Sequence, residues 1–229
     1  MVWDWLFTYW PQLLYGLWIT LVLLVLSMVL GMLLAVPIGL VQVTGPWWLK
    51  YPARGFTTFI RGTPLLIQLW LMYYGLGQIF PMIPGLRHSF MWPVLREGFF
   101  YAVLAFTLST AGYEGEVMRG AFLGVPRGEL EAARAIGMSP FQVLRRVWLP
   151  RALRLVLPTL NGETILQLKS TPLAYTVTVM DLMGATSMIR QDTYRIYEPL
   201  IFIAVIYMFI TFVITKGFSY LERQVPVKR

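Results

Sequence analysis

The sequence contains no cysteine and a single histidine, His88, so it offers no disulfide framework and no thiolate or histidine cluster for a metal. Charged residues are also scarce, at 13% of 229 residues, where about 25% is usual for a soluble domain. A phosphate-binding loop of the form GxxxxGK[ST] is missing, so the chain is not expected to bind ATP in that way. These absences argue against metal-dependent, thiol-dependent and ATP-hydrolysing enzymes.

What the chain has instead is apolar surface: 57% of its residues are hydrophobic and its mean hydropathy is +0.63. These values predict several membrane spans rather than a soluble domain. The net charge of +8 could indicate nucleic acid as a partner, but membrane proteins place excess Lys and Arg in cytoplasmic loops. We therefore predict that the protein lies in a lipid bilayer and that nucleic acid is not a partner.

Five stretches are long and apolar enough to serve as transmembrane helices, each needing about 20 residues. They predict an all-α, polytopic membrane protein that forms one domain over residues 1–229, with spans at 13–36, 64–80, 99–117, 152–168 and 199–219. Pro37 and Gly39 are expected to end the first span, and Thr63 is expected to cap the second, with Pro64 in its first turn. The fourth span is interrupted by polar residues and is expected to continue into an irregular segment.

The distribution of basic residues predicts an N-terminus outside the cell and a C-terminus in the cytoplasm, because inner loops carry the positive charge. With that orientation fourteen basic residues lie inside and four outside: Lys50, Arg54, Arg61, Arg119, Arg127, Arg134, Arg145, Arg146, Arg151, Arg154, Lys216, Arg223, Lys228 and Arg229, against Arg87, Arg96, Arg190 and Arg195.

The loop between spans three and four, residues 118–151, is unusually rich in arginine for this chain. A helix is predicted over GELEAARAIGM, where small residues would let another backbone approach closely, and Ser139-Pro140 predicts the N-cap of a second short helix that Pro150 ends. From spacing alone, two interpretations remain open. The loop is either a solvated connection with arginines at lipid headgroups, or a cytoplasmic docking element.

A longer pattern in this loop is specific. It reads E-A-A-x3-G-x9-V-x-L-P and resembles the EAA motif of the membrane subunits of bacterial ABC importers, with Val147 where isoleucine is usual. The segments RGTPLLIQL, AGYEGEVMRGAFLGVPRGELEAARAIG and LPTLNGETILQLKSTPLA are similar to the polar amino acid branch, including histidine/lysine/arginine/ornithine, glutamate and opine permease subunits. The residues that match the motif, together with the neighbouring Arg134, are Glu131, Ala132, Ala133, Arg134, Gly137, Val147, Leu149 and Pro150.

The resemblance implies a multi-pass permease subunit in the cytoplasmic (inner) membrane of a bacterium. It implies a second permease subunit, homologous or identical, two cytoplasmic ATPase subunits that bind ATP and Mg, and an extracytoplasmic solute-binding protein. In the family the EAA loop forms a coupling helix that is seated in a groove of the ATPase. The chain itself would then have no catalytic residue, no metal and no cofactor, and would pass a polar amino acid or an opine across the membrane.

Ionisable groups at membrane depth are costly and therefore mark candidate transport paths. Glu163 lies nine residues beyond Arg154, about 14 Å along a helix, and is either a group held between helices or a partner for the ammonium or basic side chain of the substrate. Lys169 either extends to the membrane surface or meets a substrate carboxylate. Further path candidates are Asn161, Ser170, Thr171, Thr63 and Gln68.

Glu116 and Arg119, three residues apart, are expected to form a local ion pair at the end of span three, near Glu114. Two other classes of protein compete with the importer subunit. A self-contained secondary transporter or channel would need its own ion coupling or pore, and an integral membrane enzyme would need clustered His, Cys or Asp residues. Neither class accounts for the EAA loop.

Overall fold

The computed structural model describes residues 4–224, and every regular element in that range is helical. The all-α prediction is therefore confirmed over the described residues. Ten helices follow in chain order: α1 (Asp4–Thr44), α2 (Trp47–Gly62), α3 (Leu65–Met82), α4 (Trp92–Leu95), α5 (Gly98–Gly124), α6 (Arg127–Ala135), α7 (Pro140–Val143), α8 (Leu149–Ser170), α9 (Leu182–Thr193) and α10 (Tyr197–Gln224).

Two helical joints depart from α geometry by widening to π turns. One, Leu71–Leu76, lies inside α3, and the other, Leu144–Trp148, joins α7 to α8 without a break. Short 3₁₀ turns occur at Phe80–Met82, which ends α3, at Leu86–His88, and at Thr171–Val177 beyond α8. The predicted irregular segment after span four therefore folds as a 3₁₀ helix followed by α9.

Prolines and glycines that were expected to end helices lie inside them, which corrects three predictions. The first helix continues through Pro37 and Gly39 to Thr44, and the helix that begins at Pro140 continues through Pro150. Pro150 lies two residues beyond the π turn Leu144–Trp148, inside a continuous helix. At Pro150, as at Pro37, packing of long apolar helices offsets one lost hydrogen bond.

Thr63 also differs from its predicted role. It does not cap α3, because its hydroxyl donates to the Phe59 carbonyl of the preceding helix, at 2.9 Å, and Pro64 occupies the N-cap position. The predicted N-cap at Ser139 is confirmed: its hydroxyl accepts from the Gln142 N–H, and the Gln142 side chain accepts from the Ser139 N–H.

The long helices alternate in direction, as the residues that face each other show. Gly31 and Gly39 of α1 lie against Thr110 and Met118 of α5, so these two helices are parallel. Trp5 packs edge-on against Phe202 at the beginning of α10, which runs the same way.

The helices α2, α3 and α8 run in the opposite direction. Leu65 shares a pocket with Ser109 while Gly77 lies near Tyr101 further along, so α3 is antiparallel to α5. Gly124 at the end of α5 meets Leu155 near the start of α8.

Three of these helices are long and apolar enough to cross a membrane by length and composition: Asp4–Thr44, Leu65–Met82 and Tyr197–Gln224. The predicted spans at 99–117 and 152–168 lie within α5 and α8, which are 27 and 22 residues long but carry charged residues among the apolar ones. The polar side chains of these two helices face each other at the centre of the fold, which is where the pocket forms.

Candidate functional site

The arginine-rich loop folds as two short helices around a tight corner. Helix α6 ends at Ala135, Gly137 adopts a left-handed conformation with φ +85°, and α7 begins at Pro140. The Met138 N–H donates to the Ala133 carbonyl at 3.2 Å and the Gly137 N–H to the Arg134 carbonyl at 2.9 Å. This pattern is a Schellman C-cap, in which the left-handed position strongly favours glycine.

The structure thus gives Gly137 a conformational role beside the close seating that its small size predicts. A Cβ at this position would meet nothing within 4 Å in the chain. The conformational role and the close seating predict different orders of substitution. The left-handed conformation favours asparagine over alanine, whereas close seating favours alanine because it is smaller.

We expect Gly137→Ala to weaken capture of the ATPase and Gly137→Asn to weaken it less. Alanine at positive φ costs about 1–2 kcal/mol, which lowers the population of the correct corner about five- to thirtyfold. Pull-down of the ATPase with each variant measures the order. The reverse order, with asparagine worse than alanine, would show that contact with a partner rather than φ selects glycine here.

Two side-chain contacts hold the loop to the long helices. The Trp148 indole N–H donates to the Phe122 carbonyl at 2.9 Å, and the two rings pack edge-to-face with centroids 5.3 Å apart. Arg151 at the start of α8 makes two charge-assisted hydrogen bonds to Glu129 of α6, one of them at 2.7 Å. The Arg151 guanidinium holds the pKa of the Glu129 carboxyl below its ordinary value, so this contact persists as pH falls and is lost only below that lowered pKa.

The predicted coupling residues divide into an exposed and an inward-facing set. Ala133 is buried against the fold, whereas Val147, Leu149 and Pro150 are half-buried; Glu131, Ala132, Arg134 and Gly137 are exposed. Two apolar side chains that the motif does not contain are also exposed at the corner, Ile136 at 75% and Phe141 at 67%. Exposed apolar groups beside Arg134, Arg145 and Arg146 form a surface suited to a protein partner.

A pocket of about 320 Å³ lies between α5 and α8, closed by α1 and the start of α3. Three of the predicted path residues line this pocket, namely Glu163, Lys169 and Ser170, all of them on α8. The other lining residues are Met28, Leu65, Ser109, Thr110, Tyr113, Glu114, Leu166 and Gln167. Although Glu163 and Lys169 are on different faces of an ideal helix, both border this pocket.

The electrostatics of the pocket are dominated by two carboxylates. The Glu114 side chain is 1% exposed, and neither of its carboxylate oxygens has a hydrogen-bond partner among the described residues. Glu163 is close enough for its charge to act on Glu114, and Arg61 is close enough to act on Glu163. The Arg61 guanidinium lies over the Tyr113 ring, 5.9 Å from its centroid. Two acidic groups near each other at this depth call for a compensating cation.

The remaining path candidates lie outside the pocket. Thr63 and Gln68 hold the corner between α2 and α3: the Gln68 amide donates to the Ile60 carbonyl and to the Thr63 hydroxyl, both at 2.8 Å. Thr171 is buried against Tyr207 of α10, with the two hydroxyl oxygens 3.2 Å apart. The buried amide oxygen of Asn161 has no hydrogen-bond partner among residues 4–224.

Among the pocket residues that sequence reasoning missed are Glu114 and Tyr113. Glu114 was grouped with Glu116 and Arg119 at the helix end, where the predicted ion pair between Glu116 and Arg119 is indeed present. Glu114 and Glu116 are two residues apart on α5 and face different sides of it. Glu114 and Tyr113 face α8 and Arg61, whereas Glu116 pairs with Arg119 of its own helix. That distinction needs the position of the neighbouring helix.

The chain's similarity to known proteins matches this geometry. Residues 27–226 match the family described as binding-protein-dependent transport system inner membrane component, and the chain belongs to that family. The octopine transport system permease protein OccM of Rhizobium meliloti is 42% identical over 210 residues, which cover 92% of this chain and 84% of OccM. The histidine/lysine/arginine/ornithine transport system permease protein HisM of Escherichia coli is 39% identical over 223 residues, covering 94% of this chain and 92% of HisM.

Solved structures agree with these relatives. An amino acid ABC transporter crystallised with histidines superposes with a TM-score of 0.80 at 33% identity, covering 96% of each chain. The MetNI methionine ABC transporter superposes with a TM-score of 0.76 at 21% identity, over 94% of this chain and 97% of that one, and so supports the fold alone. The predictions of a permease subunit, of an inner-membrane location and of a transport rather than an enzymatic role are therefore confirmed.

Proposed function

We propose that this permease subunit crosses the membrane five times, through α1, α3, α5, α8 and α10, with its N-terminus outside and its C-terminus in the cytoplasm. The alternating directions of these helices support five crossings, since an odd number puts the two termini on opposite sides. The excess of basic residues in the loops assigned to the cytoplasm supports the orientation. Glu114, Glu163 and Lys169 of α5 and α8 line the pocket, Glu116 pairs with Arg119, and Arg151 pairs with Glu129. Such placements reduce the cost of charged groups in a membrane.

The substrate is a polar amino acid of the basic class or a related opine. One observation carries this proposal: Glu114 and Glu163 border one pocket near the middle of α5 and α8, and the Glu114 carboxylate has no hydrogen-bond partner among the described residues. A cationic side chain would satisfy both carboxylates, while Lys169, Ser170 and Arg61 are placed to meet a substrate carboxylate. The transported compounds named for the octopine and histidine/lysine/arginine/ornithine permeases belong to this chemical class.

The partners follow from the loop. One of two ATPase subunits, which bind ATP and Mg, docks on the exposed surface formed by Arg134, Ile136, Phe141, Arg145 and Arg146, and the other docks on a second permease, identical or homologous, which completes the path. An extracytoplasmic binding protein delivers the substrate to the opposite face.

The test is substrate-stimulated ATP hydrolysis in proteoliposomes that hold the complete complex with its binding protein. We expect stimulation and uptake with arginine, lysine, histidine or octopine, and little of either with glutamate. Stimulation confined to acidic or neutral amino acids would contradict the assignment to basic substrates. Uptake by this chain alone, driven by an ion gradient without ATP, would contradict the importer itself.

A further inference from the structure

The amphipathic helix α2 carries a row of three basic residues that the pocket and the coupling loop leave unexplained. Lys50, Arg54 and Arg61 are four and seven residues apart, so they lie within about 40° of one another around a regular helix. The side of α2 that packs on the fold, through Thr57 and Ile60, adjoins this row, because Thr57 lies about 20° and Ile60 about 80° from Lys50 around a regular helix. We name the row Lys50, Arg54 and Arg61 the basic stripe.

One end of the basic stripe is at the pocket. Arg61 places its guanidinium over the ring of Tyr113, which lines the pocket, and its charge acts on Glu163. A second cation, Lys169, lines the same pocket.

The other end of the stripe points toward the end of the fold where the coupling loop lies. Ile60 of α2 meets Gly112 of α5, and Thr57 meets Gly115, one helical turn further along. Because α2 and α5 are antiparallel, Arg54 and Lys50 lie progressively nearer the Gly124 end of α5. From Lys50 to Arg61 the stripe covers about 16 Å at 1.5 Å per residue.

None of these three cations has a carboxylate at ion-pair distance among residues 4–224. Arg119 pairs with Glu116 and Arg151 pairs with Glu129, whereas Arg54 and Arg61 are exposed and Lys50 is half-buried without such a contact. The side of α2 that faces away from the stripe is aromatic, with Trp48, Tyr51 and Phe59 exposed, and suits lipid or a second permease. The stripe is thus a row of available positive charge beside the pocket.

We propose that the basic stripe guides the carboxylate of the substrate from the pocket to the cytoplasm, with Arg61 as the first contact and Arg54 and Lys50 as the next. This inference rests on the orientation and the substrate class proposed above. When the cationic side chain of the substrate takes the place of Arg61 near the carboxylates, Arg61 becomes free to bind the substrate carboxylate. Weak, successive sites of one charge allow release without a deep trap.

The test compares uptake by the reconstituted complex carrying Lys50→Gln and Arg54→Gln together with uptake by wild type. We expect the double variant to lower the maximal rate of arginine uptake about tenfold at low ionic strength. The difference between variant and wild type should shrink about threefold or more as salt rises, because salt screens the steering by exposed charge. The charge-conserving pair Lys50→Arg and Arg54→Lys should restore the rate. Arg223→Gln, which removes an exposed cation from α10, is the matched control and should leave uptake unchanged.

Two outcomes would overturn the inference. One is wild-type uptake, with wild-type salt dependence, in the double glutamine variant. The other is a loss that appears only in vesicles containing phosphatidylglycerol and not in phosphatidylcholine alone, which would assign the stripe to lipid phosphate. If the wild-type complex itself fails to import any basic substrate, the proposed function fails, and that result is separate from either outcome.

Discussion

Gly31→Leu is expected to prevent recovery of the folded permease from detergent. Gly31 lies where α1 packs tightly against α5, and even a single Cβ would overlap the Thr110 side chain and approach the Thr107 carbonyl to 3.1 Å. Small residues at such crossings allow membrane helices to pack closely. Overpacking a tight contact costs about 1–3 kcal/mol and sometimes more, so the four carbons of leucine should separate the two helices.

The measurement is the monodisperse fraction on size exclusion after stepwise heating. Gly31→Ala should lower the midpoint by about 2–12 °C, at about 2–4 °C per kcal/mol for a chain of this size. Gly120→Leu is the control, because Gly120 lies on α5 with nothing within 4 Å of an added Cβ. Equal loss of protein from the Gly31 and Gly120 variants would show that the close crossing is not what the leucine disrupts.

Glu163→Lys should lower uptake of basic substrates at least about a hundredfold, which corresponds to about 3 kcal/mol at 1.4 kcal/mol per tenfold. The substitution places a third cation in a pocket that already contains Lys169 and lies beside Arg61, so it repels the substrate cation and leaves Glu114 as the sole carboxylate lining the pocket. Lysine and glutamate are both costly at membrane depth, so the change tests charge sign more than burial.

Uptake and ATPase capture should be measured on the same preparation. Glu163→Gln, which keeps the shape and removes the charge, should give a smaller loss, and both variants should still bind the ATPase through the unchanged loop. Wild-type uptake by Glu163→Lys would remove Glu163 from the transport path. Loss of ATPase capture in both variants would instead indicate a folding defect.

The shorter helices α2 and α9 were not predicted. The positions of the five long helices could be read from the sequence because long apolar stretches and the EAA spacing are local patterns. Their ends could not, as Pro37 and Pro150 illustrate. A proline inside a helix loses one backbone hydrogen bond, and whether packing offsets that loss depends on helices distant in the chain. Gly39 was expected to end a helix because glycine is a poor helix former, yet it allows Met118 and Arg119 of α5 to approach.

The pocket was only half predictable. Glu163 stands out in an apolar stretch, but Glu114 differs from Glu116 by two positions, and only the placement of α8 shows which carboxylate faces the path. Gln68 shows the opposite error: the N–H groups of a polar side chain in a predicted span can be satisfied by their own neighbourhood, here the Ile60 carbonyl and Thr63, although the Gln68 amide oxygen has no partner among residues 4–224. Polarity at membrane depth identifies candidates, and hydrogen bonding separates the structural ones from the rest.

The absence of a break at Pro150 has a mechanical consequence. Helix α7, the π turn and α8 form one continuous segment from Pro140 to Ser170, which at 1.5 Å per residue is about 46 Å long. Phe141, at one end, is exposed at the corner proposed to meet the ATPase, and Glu163 and Lys169, toward the other, form a wall of the pocket. A continuous helix of this kind would convert a small displacement at the end proposed to meet the ATPase into movement of Glu163 and Lys169 in the pocket.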